Sequence, residues 1–237
     1  MTEIKRPTFY SHFGVDNRMR RSAIVDFMQD CCTVSRQADK AIGPLMNEGK
    51  ALLYVAYRQL DILSEPLYRE ELTVRTGIFE SKRIYGRRCT VITGSDGTVR
   101  AMSYLISTLV DPETRKPINL PEEINSRFEF TPAPDMELTP RRLRLPEVTP
   151  EEFPAFTALR CQADTNGHVN NARYLDLGDE LIPRDREIRR IRCEYKASFM
   201  PGDKIIPHVY RTDTSTFITL SNEDGLLCSV MEYVYKD

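Results

Sequence analysis

Two hydrophobic periods alternate along the chain, and their order outlines its architecture. Over residues 21–42, Ile24, Phe27, Met28, Cys31, Cys32, Val34, Ala38, Ala41 and Ile42 recur at helical spacing. So wide a stripe predicts a long, well-buried helix, with Gly43-Pro44 expected to end it. Ahead of it, Tyr10-Ser-His-Phe-Gly-Val-Asp-Asn17 reads as an extended piece followed by a turn. Behind it the texture changes to strands at residues 52–63, 71–79, 83–93 and 98–110. The last two are joined through Gly94-Ser-Asp-Gly97, a hairpin signal.

The pattern then breaks. Residues 111–150 are dense in proline with charged residues between, which disfavours regular structure and favours an inter-domain connection. After it the first pattern returns in shorter form. A strand is expected at 156–161, a helix at 174–182 stopped by Pro183, and a long strand at 187–199 running into a Met200-Pro-Gly-Asp203 turn. Strands at 204–210, 216–220 and 226–235 complete the series, with Asn222-Glu-Asp-Gly225 turning the final hairpin. A tandem duplication of one α+β unit accounts for this economically. The expected domains are 1–125 and 151–237, with 126–150 as linker. Setting Val15-Asp16 against Ala163-Asp164 puts Arg18 opposite Asn166 and Arg20 opposite His168. In that alignment the first copy keeps the acid and loses the amide and the imidazole, so the second copy is the one expected to carry chemistry.

Composition narrows the function classes. With 41% hydrophobic and 29% charged residues the sequence is that of a globular protein, and a net charge of −2 gives no general attraction to nucleic acid or anionic membrane. No apolar run reaches membrane-spanning length, and the N-terminus has neither a signal-peptide core nor a transit-peptide leader, so the cytoplasm is the expected location. Cys31, Cys32, Cys89, Cys161, Cys193 and Cys228 lack CxxC or regular spacing and read as buried free thiols in a reducing compartment. With His12, His168 and His208 alone and no clustered Cys/His ligands, no metal site is expected. Without a glycine-rich phosphate loop, neither is a nucleotide cofactor.

The candidate chemistry is concentrated in Ala163-Asp-Thr-Asn-Gly-His-Val-Asn-Asn-Ala-Arg-Tyr174. Asp164, Asn166 and His168 alternate, so in an extended segment they would share one side. Gly167 permits a bend, and Asn170 or Asn171 would cap a following helix. An acid, an amide and a group titrating near neutrality are the parts needed to activate water or hold a carbonyl. Taken alone, the same residues read first as a hydrogen-bonded turn leading into a helix.

Asp164-Thr-Asn-Gly-His-Val-Asn-Asn-Ala-Arg-Tyr174 resembles the D-x-N-x-H-V-N-N-x-x-Y signature of the acyl-ACP thioesterases. The resemblance extends to Tyr10-Ser-His-Phe-Gly-Val-Asp16, Glu65-Pro-Leu-Tyr-Arg-Glu-Glu-Leu72, and Ser107-Thr-Leu-Val-Asp-Pro-Glu-Thr-Arg-Lys116 with Leu120-Pro-Glu-Glu-Ile124. It covers nearly the whole chain and is similar to the bacterial members rather than the plastid ones. It implies a tandem (double) hotdog α+β fold, two antiparallel sheets each wrapped on a helix, with the first domain binding the acyl chain. It also implies hydrolysis of fatty acyl-ACP, with acyl carrier protein as partner and no cofactor. A monomer with its own hotdog pair or a homodimer would serve. The carried-over catalytic residues are Asp164, Asn166 and His168. The family's further Glu, often followed by Cys, falls here at Ser198-Phe199, so carboxylate and thiol are both missing. Ser198 stands at that place, and Glu194, four residues earlier, is the other candidate for the lost role. Backbone N–H groups at the helix start after His168 are expected to stabilise an oxyanion. An acyl-CoA thioesterase and a non-catalytic acyl-thioester binder are the alternatives.

Overall fold

In a computed structural model of the chain, residues 1–236 are described and fall into two compact units. The first comprises Met1–Met19 and Ala23–Thr139; the second comprises Arg20–Ser22 and Pro140–Asp237.

In the first unit, β1 (Thr2–Pro7), β2 (Leu52–Ile62), β3 (Glu71–Lys82), β4 (Tyr85–Thr93) and β5 (Val99–Val110) form an antiparallel sheet in the order β1-β3-β4-β5-β2. The Asp96-Gly97 hairpin holds as read: Gly97 takes φ +81°, and Asp96 Oδ1 accepts the Thr98 N–H at 2.9 Å. The helix α1 (Arg21–Gln37) lies on this sheet. Cys31 Sγ reaches the Val74 carbonyl at 3.3 Å, and Cys32 Sγ lies 3.5 Å from both Thr76 and Thr90 hydroxyls. Ile24, Val25, Phe27, Met28 and Cys31 are almost wholly buried, as the wide stripe requires.

The helix is shorter than its apolar period. It ends at Gln37 because Asp39 Oδ1 accepts the N–H groups of Ala41 and Ile42, at 2.8 and 3.0 Å, offering the backbone an alternative to the helical ladder. Gly43-Pro44 opens a second helix, α2 (Gly43–Asn47), rather than closing the first; proline's fixed φ suits a first turn. Strand β1 has an alternating burial pattern, yet its polar composition gave no apolar signal to read. The short α3 (Glu122–Asn125) follows β5. Residues 126–150 contain no helix or strand, although the stretch is not loose. The Glu137 carbonyl accepts from Gln59 Nε2 at 2.8 Å, and Thr139 bonds Gln59 and Tyr57.

The second unit repeats the plan with β8 (Ile188–Tyr195), β9 (Lys204–Arg211), β10 (Ser215–Ser221) and β11 (Leu227–Tyr235) in the order β8-β11-β10-β9. The two-residue strands β6 (Glu151–Glu152) and β7 (Phe156–Thr157) pair with β9. The expected strand over 156–161 stops at Thr157; residues Arg160–Gln162 make a 3-10 turn instead, held by the Gln162 side chain accepting the Leu159 N–H at 2.7 Å. The unit's helix, α4 (Arg173–Asp179), packs on β11, where the Tyr233 hydroxyl donates to the Leu175 carbonyl at 3.4 Å. An α+β hotdog plan thus occurs twice in one chain.

Candidate functional site

The loop before α4 is built from backbone hydrogen bonds. Ala163 and Val169 form an antiparallel bridge; the Asp164 N–H bonds the His168 carbonyl at 3.0 Å, and the Gly167 N–H bonds the Asp164 carbonyl at 3.0 Å. Gly167 sits at φ +82°, in the left-handed region that favours glycine. The segment is a tight turn, so the two-residue alternation of an extended strand does not apply. Asp164 and His168 are brought to the turn's base, and Asn166 is exposed at its tip. It is Asn166's backbone N–H, donating to Asp164 Oδ1 at 2.8 Å, that ties it to the acid.

At the base, Asp164 Oδ1 lies 3.8 Å from His168 Nδ1, with the side chains 22% and 19% exposed. That separation exceeds hydrogen-bond length and is an electrostatic contact. The nearer acceptor for Nδ1 is the Val169 carbonyl, at 3.3 Å. A proton on Nδ1 directed there leaves the Nε2 lone pair as the ring's acceptor.

Three of the N–H groups after His168, where an oxyanion site is expected, are already engaged. Val169 donates to the Phe199 carbonyl at 2.8 Å, Asn170 to the Gln162 carbonyl at 2.9 Å, and Ala172 to Asn170 Oδ1 at 2.8 Å. The helix α4 starts only at Arg173, with Ala172 at its cap position and no side-chain cap; Asn170 instead holds the turn ahead of it. The Val169–Phe199 bond brings the 198–199 segment beside the turn. Phe199 is buried, its N–H held by the Tyr174 hydroxyl at 3.4 Å and its ring 5.9 Å from that of Tyr174. Tyr195 meets Tyr174 edge-on at 5.4 Å and donates to the Asn171 carbonyl at 3.2 Å. Burial pushes the Tyr174 phenol well above its usual range, so it remains a neutral donor and acceptor. These aromatic supports were not singled out in the sequence, although Tyr174 closes the motif.

Ser198 is exposed, one residue before Phe199. Glu194 is buried on β8 and engaged elsewhere: Lys196 Nζ lies 3.3 Å away, Arg141 Nε 4.0 Å, and the Leu143 N–H 3.4 Å. No contact joins Glu194 to Asp164 or His168 among the described residues. Cys161 is exposed in the 3-10 turn, contrary to the expectation that all six thiols are buried; the other five are.

The repeat is in register two residues away from the expected alignment. In the first unit Phe13 bridges Met19, the Gly14 N–H bonds the Arg18 carbonyl, and the Asn17 N–H bonds the Gly14 carbonyl. His12 Nδ1 accepts the Phe9 N–H at 2.9 Å, as Gln162 does for Leu159. Gly14 therefore stands where Asp164 does, Asp16 where Asn166 does, and Arg18 where His168 does. The first copy has lost the acid as well as the amide and imidazole, and Asp16 is no relic of Asp164.

The chain is a duplicated hotdog with this loop on its second copy. Residues 148–229 match the model of the acyl-ACP thioesterase C-terminal domain. No curated protein sequence matches it. Among solved structures it is similar to an acyl-ACP thioesterase from Bacteroides thetaiotaomicron, with 17% identity and a TM-score of 0.86 over 99% of this chain and 97% of that one. It is also similar to the 12:0-ACP thioesterase of Umbellularia californica, with 16% identity and a TM-score of 0.83 over 99% and 97%. These likenesses show the same double-hotdog fold. No helix among the described residues is long and apolar enough to cross a membrane.

Proposed function

We propose that the chain hydrolyses the thioester of fatty acyl-ACP, releasing a fatty acid and the carrier with its free thiol. The observation that carries the reading is the domain match over residues 148–229, which encloses the Asp164–His168 pair. His168 Nε2 takes a proton from water as the water oxygen attacks the acyl carbon. The carbon–sulfur bond then breaks, and the imidazolium returns the proton to the leaving thiolate. Asp164, 3.8 Å from Nδ1, stabilises the imidazolium formed between these steps. Asn166, exposed at the tip of the turn, has the amide donor to hold the thioester oxygen. Ser198 supplies no base, because a hydroxyl stays protonated near neutrality, and Glu194 serves the packing of β8.

The first unit takes the acyl chain. Since one chain contains two hotdog units, a single copy suffices for activity. Free thiols throughout suit a reducing cytosol. The absence of a carboxylate at Ser198 favours one second reading, a binder of acyl thioesters without turnover. An acyl-ACP chain-length panel, with acyl-CoA in parallel, tests both. Acid release from acyl-ACP supports hydrolysis, release from acyl-CoA alone reassigns the carrier, and binding with no release from either supports the second reading.

A further inference from the structure

The first unit has a polar cavity apart from its apolar core. It encloses about 110 Å³ between the carboxyl end of α1, β3 and residues 127–129, and Ser35, Thr76, Arg88 and Arg127 form part of its wall. A water takes about 30 Å³ of the liquid, so the space admits a group of a few heavy atoms and is too small for a long acyl chain.

Arg88, on β4, is the buried cation of this wall and is 6% exposed. Its Nη1 donates to the Ser35 hydroxyl at 2.9 Å and more weakly to the Thr76 hydroxyl at 3.5 Å. Its Nε and Nη2 donate to no protein group among the described residues, and no carboxylate there lies within ion-pair distance. A buried guanidinium served only by hydroxyls is a costly arrangement unless an anion completes it.

The other charges around the cavity do not supply that anion. Lys40 and Glu129 pair with each other at 3.0 Å, and Asp39 turns Oδ1 to the Ala41 and Ile42 N–H groups. The carboxyl end of α1 adds about half a negative charge. Arg127 adds a full positive one; it is exposed and has no ion pair among the described residues. The balance stays positive, and its buried centre is Arg88. The Thr76 hydroxyl donates to the Cys89 carbonyl at 2.9 Å, whereas the Ser35 hydroxyl, accepting from Arg88, keeps its own proton to give.

We infer that this cavity binds a phosphate-sized oxoanion, held by the Arg88 and Arg127 guanidinium groups and the Ser35 hydroxyl. A guanidinium fork matches paired oxygens of such an ion. Two sources offer that chemistry: free inorganic phosphate, and a phosphate monoester whose remainder stays outside the cavity. Binding here involves no step of thioester hydrolysis, so this inference and the proposed function can fail separately.

The test is calorimetric titration of the full chain with inorganic phosphate at constant ionic strength, with thermal melts in phosphate and in chloride. The wild type should bind one equivalent, and its Tm should rise saturably above that in chloride. Phosphate also stabilises folded proteins in general, so the difference between wild type and variant decides. Arg88→Met should abolish the binding heat and the saturable rise, and Arg127→Met should weaken binding at least about tenfold. Arg127 is exposed, so its variant decides if Arg88→Met does not fold. No saturable binding by wild type, or binding unchanged in either folded variant, overturns the inference. Tighter binding of glycerol phosphate than of inorganic phosphate assigns the site to a monoester; equal or weaker binding assigns it to the free ion.

Discussion

Gly178→Ala is the sharpest single test of how α4 is seated behind the Asp164–His168 turn. The helix passes β11 at Gly178, and an added Cβ would overlap the Tyr233 hydroxyl outright and sit 2.8 Å from its ring carbon Cζ. Tyr233 cannot swing away. It is wholly buried, its hydroxyl bonds the Leu175 carbonyl, and its strand is paired on both sides, at Ile191 and Thr216. Ordinary carbon contacts need about 3.5 Å or more, so helix or strand must shift by much of an ångström. Overpacking of that kind costs roughly 1–3 kcal/mol, and displacing the buried hydroxyl adds about 1 kcal/mol. Alanine's better helix propensity returns up to about 1 kcal/mol. The net expectation is a loss of about 2 kcal/mol, or a drop in Tm of roughly 4–8 °C for a chain of this size. Because α4 also carries Tyr174, whose hydroxyl holds the Phe199 N–H, turnover should fall along with stability. Thermal melts of Gly178→Ala, Tyr233→Phe and the double variant measure the coupling. The double variant should be less destabilised than the sum of the singles. A Gly178→Ala protein as stable as wild type, or more so, would refute this seating of the helix.

Four further outcomes are expected. Burial pushes the Asp179 carboxyl up to about 6, with Arg21 3.1 Å away offsetting part of the effect. Its folded-state affinity for the proton is raised, so this group's contribution is full at the ordinary carboxylate range and is lost as pH rises through about 6. Urea midpoints should therefore show Asp179→Asn gaining on wild type by roughly 2 kcal/mol between pH 4 and pH 7, and a constant gap would contradict this. Glu70 and Arg100, nearly buried and 2.6 Å apart, should make Glu70→Ala lose about 3–5 kcal/mol in a denaturant titration. Asp164→Asn keeps an acceptor for the Asn166 N–H but removes the charge 3.8 Å from His168, so kcat should fall at least about tenfold with KM nearly unchanged. Ser198→Ala should leave kcat within about twofold, since the exposed hydroxyl has no base chemistry to lose; a loss of a hundredfold would give it a role in the reaction.

Most of the architecture was legible because it rests on local physics. The α1 stripe, the strand alternation and the Asp-Gly hairpins each follow from side-chain period or from one residue's backbone freedom. What escaped depends on hydrogen bonds that no period reveals. Asp39 ends α1 through its side chain, six residues before the Gly-Pro pair expected to do so. Gln162 turns an apparent strand into a 3-10 turn. In the site, the turn separates Asn166 from the Asp164–His168 pair and engages three of the N–H groups expected for an oxyanion, those of Val169, Asn170 and Ala172. The repeat's register was lost for a similar reason: aligning one aspartate with another is a chemical choice, while the bridges at Phe13–Met19 and Ala163–Val169 set the true correspondence.

Release of fatty acid from acyl-ACP by wild type and by His168→Ala, compared at saturating substrate, tests the central claim most directly. General acid–base catalysis contributes about 10²–10⁴-fold, so the variant should lose that much in kcat while melting like wild type. A near-native rate in folded His168→Ala, or no acid released by wild type from any acyl-ACP, would contradict the account.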